Sequence, residues 1–368
     1  MVSKVLRMEI QVYFYKITIT LSCPSPMPSF RCIPFILLCA LVPWSAALSQ
    51  AKPVDYLVFE GAGIRGIAYC GALMELEERG LSQSVQAVAG TSSGAITAAL
   101  YAVGYSPTEI FELIGETDFQ KFNDGGGRTI GGFYRLKKKL GWYKGDAFLN
   151  WIETLIAHKA GNADLTFAEL AARAAKQPQY QALTVAATSM NHQCTLLFSA
   201  STFPHMRIVD AVRASMAVPF YFEPITIDKA GKVVENVPLG PDYHLCLDGG
   251  FTANFCINAF DTLDASGQLH VAHTLGLRID SDEQIQRDQL DHQLCYQDIQ
   301  STSDLMKSLY NITKENLNRA FLTEDDWRRT VSISDAQIGP KVKRLSADQK
   351  NRLIESGRNG VRSYYQSK

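Results

Sequence analysis

Two glycine-framed turns, about 25 residues apart, are the feature that most constrains the fold of this chain. The first has the sequence GAGIRG at residues 61–66, and the second has the sequence GTSSG at residues 90–94. Each turn follows a short apolar run and precedes apolar residues at helical spacing, which predicts two strand–turn–helix units. Further alternation of strands and helices predicts an α/β fold with three layers, α/β/α, around a mostly parallel central sheet.

The two turns are predicted to meet at one edge of this sheet, because ligands in such folds bind where strands end and helices begin. Backbone N–H groups of the first turn can hold an anion. The second turn can present the hydroxyl of Ser92 at the start of a helix, where the helix dipole favours developing negative charge. Gly90 and Gly94, two positions either side of Ser92, allow the strand and the helix to pack closely around it.

A third motif, Asp248-Gly249-Gly250, follows the apolar run 245–247. Its two glycines would let another segment approach the carboxylate closely. If Asp248 lies within hydrogen-bond reach of Ser92 in a dry setting, it can take the hydroxyl proton directly. The alternative is an aspartate that only forms a turn. A catalytic triad stays open as well, with His270 or His273 as its histidine.

Composition and motif spacing disfavour four interpretations: a nucleic-acid-binding protein, a nucleotide-binding protein, a disulfide framework and a zinc site. A net charge of −1 disfavours nucleic acid as a partner. GxGxxG is also the dinucleotide-binding fingerprint, but the next predicted strand, residues 85–89, has no acidic residue at its end, which disfavours a nucleotide. Past residue 51 the cysteines are scattered without CxxC spacing, which disfavours a disulfide framework or a zinc site. We therefore expect no metal and no other cofactor.

The first 51 residues differ from the rest of the chain. From Met27 a short basic stretch, an apolar run at 32–44 and small residues at Ser49 and Ala51 are typical of a cleaved signal sequence. This predicts an exported protein that is secreted, periplasmic or membrane-associated, with an uncleaved membrane anchor as the alternative. Residues 1–26 fit neither interpretation, which suggests an over-extended start with Met27 as the real one.

We expect residues 52–281 to form one catalytic domain. The polar, charged segment 282–368 is predicted to be a helical extension packed on that domain.

The motifs, in this order, resemble the patatin-like phospholipase family over residues 55–262. The turns at 60–66 and 90–94 and the Asp-Gly-Gly motif at 248–250 are similar to the main motifs of the family. Residues 213–220 and 141–145 resemble two further family segments, and Asn254 stands at the family's usual downstream asparagine.

This resemblance implies that Ser92 and Asp248 form a catalytic dyad acting on acyl esters of lipids without calcium. It also implies an oxyanion hole made by the backbone N–H groups of Gly61, Ala62 and Gly63, with Arg65 supporting the loop. The glycines that belong to the motifs are Gly66, Gly90, Gly94, Gly249 and Gly250.

Three positions depart from the family pattern. Glu60 replaces a common aspartate, Ala62 a common glycine and Cys256 a common proline. Because alanine resists positive φ, the change at Ala62 bears on the geometry of the oxyanion hole.

The expected function is therefore that of a serine hydrolase of phospholipase A, lysophospholipase or esterase type, with a lipid or phospholipid as substrate. An acyltransferase on the same core and a catalytically silent lipid-binding module are the alternatives. Lys137–Lys139, among aromatic residues, predict peripheral contact with a membrane surface or, alternatively, a solvated helix face beside a buried aromatic turn. The oligomeric state is left open.

Overall fold

The computed structural model of the protein describes residues 54–340 and 344–368. The predicted signal segment, residues 1–51, lies outside this range, so export and membrane anchoring stay predictions. Within the described ranges no helix is both long and apolar enough to span a bilayer.

Thirteen strands are present among the described residues. In chain order they are β1 (Tyr56–Phe59), β2 (Ala87–Thr91), β3 (Gly141–Tyr143), β4 (Ala182–Ser189), β5 (Cys194–Phe198), β6 (Phe220–Phe222), β7 (Ile225–Asp228), β8 (Val233–Val234), β9 (Tyr243–Asp248), β10 (Thr262–Leu263), β11 (Leu269–His270), β12 (Thr274–Asp280) and β13 (Thr330–Ser334).

Twelve α-helices accompany them in the same part of the chain, together with two short 3₁₀ helices at Gly63–Ile67 and Phe119–Phe122. In chain order the α-helices are α1 (Ala68–Glu78), α2 (Ser93–Ala102), α3 (Pro107–Glu116), α4 (Arg128–Lys139), α5 (Asp146–Ala160), α6 (Phe167–Ala174), α7 (Ile208–Ser215), α8 (Gly250–Ala253), α9 (Asp282–Asp288), α10 (Thr302–Arg319), α11 (Glu324–Arg328) and α12 (Ala347–Gln366).

The central sheet has nine strands and combines a parallel and an antiparallel part. Its order is β13-β12-β1-β2-β4-β9-β7-β8, and β5 also pairs with β4. The strands β13, β12, β1, β2 and β4 run parallel, whereas β9, β7, β8 and β5 are joined by antiparallel pairing. The parallel part carries both glycine turns at its carboxyl edge, as the sequence predicts.

Both faces of the parallel part of the sheet are covered: side chains at alternate positions point to opposite faces, and nearly all of them are buried in β1, β2, β4 and β12. Leu57 and Phe59 of β1 belong to the larger core, with α1, α2 and α12. Val58, on the other side of β1, packs in a smaller core with Phe255 and Ile257. The predicted α/β fold with helices around a mostly parallel sheet is confirmed.

The carboxyl-terminal extension contributes to the sheet as well as to its helical cover. β13 pairs in parallel with β12, and its Val331 and Ile333 are fully buried. α12 packs along α1, and a side chain at Gly71 or Gly357 would collide with the backbone of the opposite helix. The sequence interpretation of a helical tail misses this strand, whose five residues lie between charged helices. The domain boundary at residue 281 stays a prediction.

Candidate active site

Strand register brings Ser92 and Asp248 together. Thr91, directly before Ser92, is paired with Ala186 of β4, and the next residue of β4, Ala187, is paired with Asp248 of β9. The hydroxyl of Ser92 donates a hydrogen bond of 2.7 Å to Oδ2 of Asp248 across a sequence separation of 156 residues. Both side chains are buried.

Ser92 sits at a strained turn between β2 and α2. Its backbone has φ 54° and ψ −122°, a conformation that non-glycine residues adopt rarely and that is often found at functional sites. A side chain at Gly90 would collide with the backbone at Gly94, and one at Gly94 with the backbone of Phe59. The two glycines therefore allow the close crossing of strand and helix that the turn requires.

Ser215 holds the backbone of this turn in place. Its hydroxyl accepts a hydrogen bond of 2.8 Å from the N–H of Ser92 and donates one of 2.6 Å to the carbonyl oxygen of Ala186. The next residue, Met216, places its sulfur 3.6 Å from the Ser92 hydroxyl. Sequence reasoning did not assign a role to Ser215, although it lies inside the family-like segment 213–220.

That segment is fixed to the second family-like segment, 141–145, through Arg213. The buried guanidinium donates to the carbonyl oxygens of Lys144 at 2.6 Å and Glu223 at 2.8 Å. Burial lowers the pKa of Arg213 to about 10, with Asp124 and Asp146 opposing this change. Arg213 thus links the segment 141–145 to the segment that holds the serine turn through Ser215.

The carboxylate of Asp248 is oriented by its own turn. Oδ1 accepts a hydrogen bond of 2.7 Å from the N–H of Gly250, which leaves Oδ2 for Ser92. A side chain at Gly249 would lie 2.5 Å from the carbonyl oxygen of Ala186 on β4 and 2.9 Å from a methyl group of Thr91, so the glycine allows the turn after Asp248 to pack closely against both strands. Burial raises the pKa of Asp248, while the hydrogen bonds from Ser92 and Gly250 and the charge of Lys314 oppose that rise.

The first glycine turn lies directly beside Ser92. A side chain at Gly61 would come within 3.3 Å of the Ser92 Cβ atom. The N–H of Gly61 donates to the carbonyl oxygen of Asn254 at 3.0 Å, and the N–H of Ala62 donates to the Ser93 hydroxyl at 3.0 Å. These two amides therefore already have acceptors, whereas the N–H of Gly63 has none among the described residues.

The geometry of the loop also answers the question raised by Ala62. Its φ is −129°, so the alanine avoids the left-handed region. The positive φ falls on Gly63, at 60°, where a side chain would collide with the backbone of Pro340. Arg65 donates to the carbonyl oxygen of Ala62 at 3.1 Å and pairs with Asp335 at 3.6 Å, and its support of an oxyanion hole stays a prediction. Gly66 packs against Ser93: a Cβ atom added at Gly66 would lie 3.2 Å from the Ser93 side chain.

Asn254 and Glu60 connect the loop to the rest of the protein. The Asn254 side chain donates to the carbonyl oxygen of Gly61 and to the Glu60 carboxylate, both at 3.1 Å. Glu60 also lies 3.6 Å from the guanidinium of Arg278 on β12. Burial raises the pKa of Glu60 to about 7, although the charge of Arg278 opposes this change.

A cavity of about 980 Å³ opens over the dyad. Its lining includes the side chains of Met216, Val218 and Tyr221 and, from the carboxyl-terminal extension, Ile312 and Lys314 of α10. The Lys314 side chain reaches the carbonyl oxygen of Gly61 at 3.4 Å. Sequence reasoning missed Lys314, because it lies in a charged helix that carries no motif.

Neither candidate for a triad histidine lies at this site. His270 is on the exposed strand β11, and His273 pairs with Asp55 at the opposite, amino-terminal edge of the parallel strands. The described residues that line the cavity include no histidine. Nor do the described ranges contain a group of three or more His, Cys, Asp or Glu side chains placed to hold a metal ion.

Comparison with known proteins agrees with this geometry. The sequence profile described as patatin-like phospholipase matches residues 57–261, more than half of the chain. The chain belongs to the patatin-like phospholipase family. Its patatin match begins within β1 and ends beyond Asp248, so both glycine turns and the Asp-Gly-Gly motif fall inside it.

Individual patatin relatives are distant. YqhO of Bacillus subtilis (strain 168) is 33% identical over 220 residues, covering 55% of this chain and 65% of its own length. "Probable lipid hydrolase 463L" of Invertebrate iridescent virus 6 is 26% identical over 224 residues, covering 59% and 66%. The chain thus spans less than two thirds of either relative. The crystal structure of VipD from Legionella pneumophila shares the fold, with 17% identity and a TM-score of 0.52 over 86% of this chain and 67% of VipD.

Proposed function

We propose that this patatin-like protein is a serine hydrolase that cleaves acyl esters of lipids through an acyl-enzyme formed on Ser92. The observation that carries the proposal is the hydrogen bond of 2.7 Å between the Ser92 hydroxyl and Asp248. A nucleophile within reach of a buried base, at the floor of a cavity of about 980 Å³, is the arrangement that acyl transfer requires.

In the first step, Ser92 Oγ attacks the ester carbonyl while Asp248 takes the hydroxyl proton. The tetrahedral intermediate collapses, and Asp248 returns the proton to the departing alcohol. A water molecule then attacks the acyl-enzyme with Asp248 again as base, and the Ser92 hydroxyl is regenerated as the fatty acid leaves. The raised pKa of Asp248 makes it a stronger base than an ordinary aspartate.

The oxyanion would be held by the glycine turn, beginning with the N–H of Gly63. The amides of Gly61 and Ala62 can contribute only after their hydrogen bonds to Asn254 and Ser93 lengthen. The amino terminus of α2 adds a favourable dipole at the same place. Loss of one such donor typically lowers turnover by about 10²–10³.

A lipid substrate is supported by family membership and by the name of a relative, "Probable lipid hydrolase 463L". The cavity combines an apolar wall for an acyl chain, including Met216 and Val218, with a polar wall that carries Lys314 and Arg65. The identity of the products will show which ester is preferred: that of a phospholipid, a lysophospholipid or a simpler lipid.

The test is product analysis combined with labelling of the nucleophile. Wild-type protein should release free fatty acid from a phospholipid mixture and react with a fluorophosphonate probe at Ser92. Ser92→Ala should lose both properties, and Asp248→Asn should lose hydrolysis, while the exposed-site control Ser201→Ala should keep wild-type rates. Hydrolysis by Ser92→Ala at the wild-type rate would refute the proposal. Transfer of the acyl group to an added alcohol, with no fatty acid released, would identify an acyltransferase instead.

A further inference from the structure

One helix near the cavity presents an exposed apolar stripe. On α4, Ile130, Phe133 and Tyr134 are 84%, 61% and 64% exposed. Their spacing continues to Lys137 and Lys138 at i+7 and i+8, so the five side chains share one face of the helix. We call this face the α4 stripe. Phe133 and Tyr134 thus belong to the exposed face of the helix, whereas Trp142 and Tyr143 of the following turn are half-buried.

The α4 stripe is presented by a helix that is fixed on its inner side. Arg135, on the buried face, donates to the carbonyl oxygens of Trp142 and Gly126, both at 2.9 Å. A side chain at Gly132 would collide with the Trp142 ring, so helix and ring are in direct contact. The outward apolar residues are therefore held in place by the fold.

Exposed apolar residues continue from the stripe to the mouth of the cavity. Leu140 ends α4 with φ 63° and is 49% exposed, and Phe220 has φ 66° and is 73% exposed. Gly141, next to Leu140, is paired with Phe220 across β3 and β6. Tyr221, which follows Phe220, lines the cavity. Leu140 and Phe220, both with left-handed backbone, thus expose their apolar side chains between the α4 stripe and the mouth of the cavity.

Charge indicates what this surface binds. Among the residues that the structure describes, none forms an ion pair with Lys137, Lys138 or Lys139. Lys139 donates a hydrogen bond of 3.4 Å to the amide oxygen of Asn236, and its charge acts on the nearby Glu223. Aromatic and aliphatic residues beside unpaired lysines on one helix are typical of helices that lie in a membrane interface. Each lysine near such a surface strengthens binding to anionic lipid.

We propose that the α4 stripe, together with Leu140 and Phe220, docks the protein on an anionic lipid bilayer with the cavity mouth facing the membrane. The proposal rests on the proposed function, in that the bilayer supplies the substrate. Docking places the apolar side chains among the acyl chains and the lysines at the headgroups. A lipid can then pass from the bilayer to Ser92 along Phe220 and Tyr221.

The experiment measures binding separately from catalysis. Vesicles of phosphatidylcholine alone, or mixed with phosphatidylserine, are sedimented with protein carrying Ser92→Ala, so that the lipid stays intact. We expect binding to the mixed vesicles that weakens with salt. On that background, Lys137, Lys138 and Lys139→Gln should weaken binding about a hundredfold. Ile130→Asp with Phe133→Asp should weaken it at least as much.

Three controls make the result decisive. Leu263→Asp with Leu269→Asp, on exposed strands that contribute nothing to the cavity lining, should bind as the parent does. With Ser92 restored, the α4 variants should hydrolyse a soluble nitrophenyl ester at the wild-type rate, which shows that they are folded. Light scattering should give the same molecular mass for the parent and for its Phe133→Asp variant, which shows that the α4 stripe does not hold two copies together.

Failure of this proposal is distinguishable from failure of the proposed function. Hydrolysis of the soluble ester without any vesicle binding would overturn the docking surface and leave the hydrolase intact. Vesicle binding that the α4 variants do not weaken would also overturn it. A dimer that depends on Phe133 would show that the stripe is covered by a second copy of the chain. Vesicle binding without hydrolysis by the wild type would support docking and refute the hydrolase.

Discussion

The amino group of Lys314 lies 3.4 Å from the carbonyl oxygen of Gly61, so a cation from helix α10 lies beside the glycine loop next to Ser92. Burial raises the pKa of Asp248, and the charge of Lys314 opposes that rise. Lys314 also lies 3.5 Å from Glu315, which neutralises part of its charge. A charge from the extension thus acts on the Asp248 carboxylate, although the described residues show no hydrogen bond between Lys314 and Asp248.

Lys314→Met tests this tuning. Methionine keeps an apolar stem but removes the charge, so the pKa of Asp248 should rise further. Because Asp248 acts in its ionised form, the acidic limb of the kcat/KM profile should move to higher pH, and kcat/KM below the new limb should fall about three- to tenfold. Lys229→Met, which removes a lysine from a surface ion pair, should leave the profile unchanged. Superimposable profiles for Lys314→Met and wild type would contradict the assignment.

Asp248→Asn should lower kcat by about 10²–10⁴, the usual contribution of a positioned base. The same substitution should leave the free energy of unfolding unchanged or raise it. The folded pKa lies above the ordinary 3.8, so ionisation is disfavoured by folding, and stability is lost as pH rises through that pKa. The asparagine variant, which can still accept from Gly250, should therefore unfold at an equal or higher urea concentration than wild type at pH 8. A clearly lower midpoint at that pH would argue that the ionised carboxylate stabilises the fold.

Ser215→Ala should weaken the serine turn without touching the dyad. It leaves the buried N–H of Ser92 without its acceptor, which typically lowers the free energy of unfolding by about 1–3 kcal/mol. Because the φ of 54° at Ser92 is then less constrained, kcat should fall at least about tenfold. Ser356→Ala is the matched control: it removes the hydrogen bond that Ser356 of α12 donates to the carbonyl oxygen of Ser334 in β13, and it should reduce stability but not kcat. Equal kcat values for the two variants would remove the positioning role of Ser215.

Glu60→Gln should change the pH dependence of stability. The folded pKa of about 7 lies above the unfolded value of 4.5, so protonated Glu60 favours the native state below pH 4.5. That contribution is lost as pH rises towards 7, while the glutamine variant titrates no group there. The variant should therefore gain stability relative to wild type between pH 5 and pH 8, measured by urea unfolding at both values. A constant difference across this interval would show that Glu60 stays ionised beside Arg278.

Much of the site follows from local sequence. Glycines around Ser92 and behind Asp248 predict close backbone approach, and in the structure the two side chains lie within 2.7 Å of each other. The partners of the Gly61 and Ala62 amides are not predictable in this way, because their acceptors, Asn254 and Ser93, depend on how the loop packs. Lys314 carries no local signal, since an ordinary charged helix becomes a cavity wall only through tertiary packing.

In the fold, too, some elements are predictable from local sequence, whereas others depend on tertiary pairing. Val58 and its neighbours in β1 give a clear apolar run that any buried strand would have. β13 has only Val331 and Ile333 as apolar residues, and the polar helices on both sides obscure their alternation. Its place at the sheet edge is decided by pairing with β12, which lies about 50 residues earlier in the chain.

The position of α10 and β13 has a consequence for how the protein is made. Ser92 and the glycine loop are synthesised well before α10 and β13, which supply part of the cavity lining and one edge strand of the sheet. A folding chain can therefore form the turn around Ser92, together with Ser215, before α10 and β13 are available. The cavity beside the turn is complete only when these later elements have packed in place.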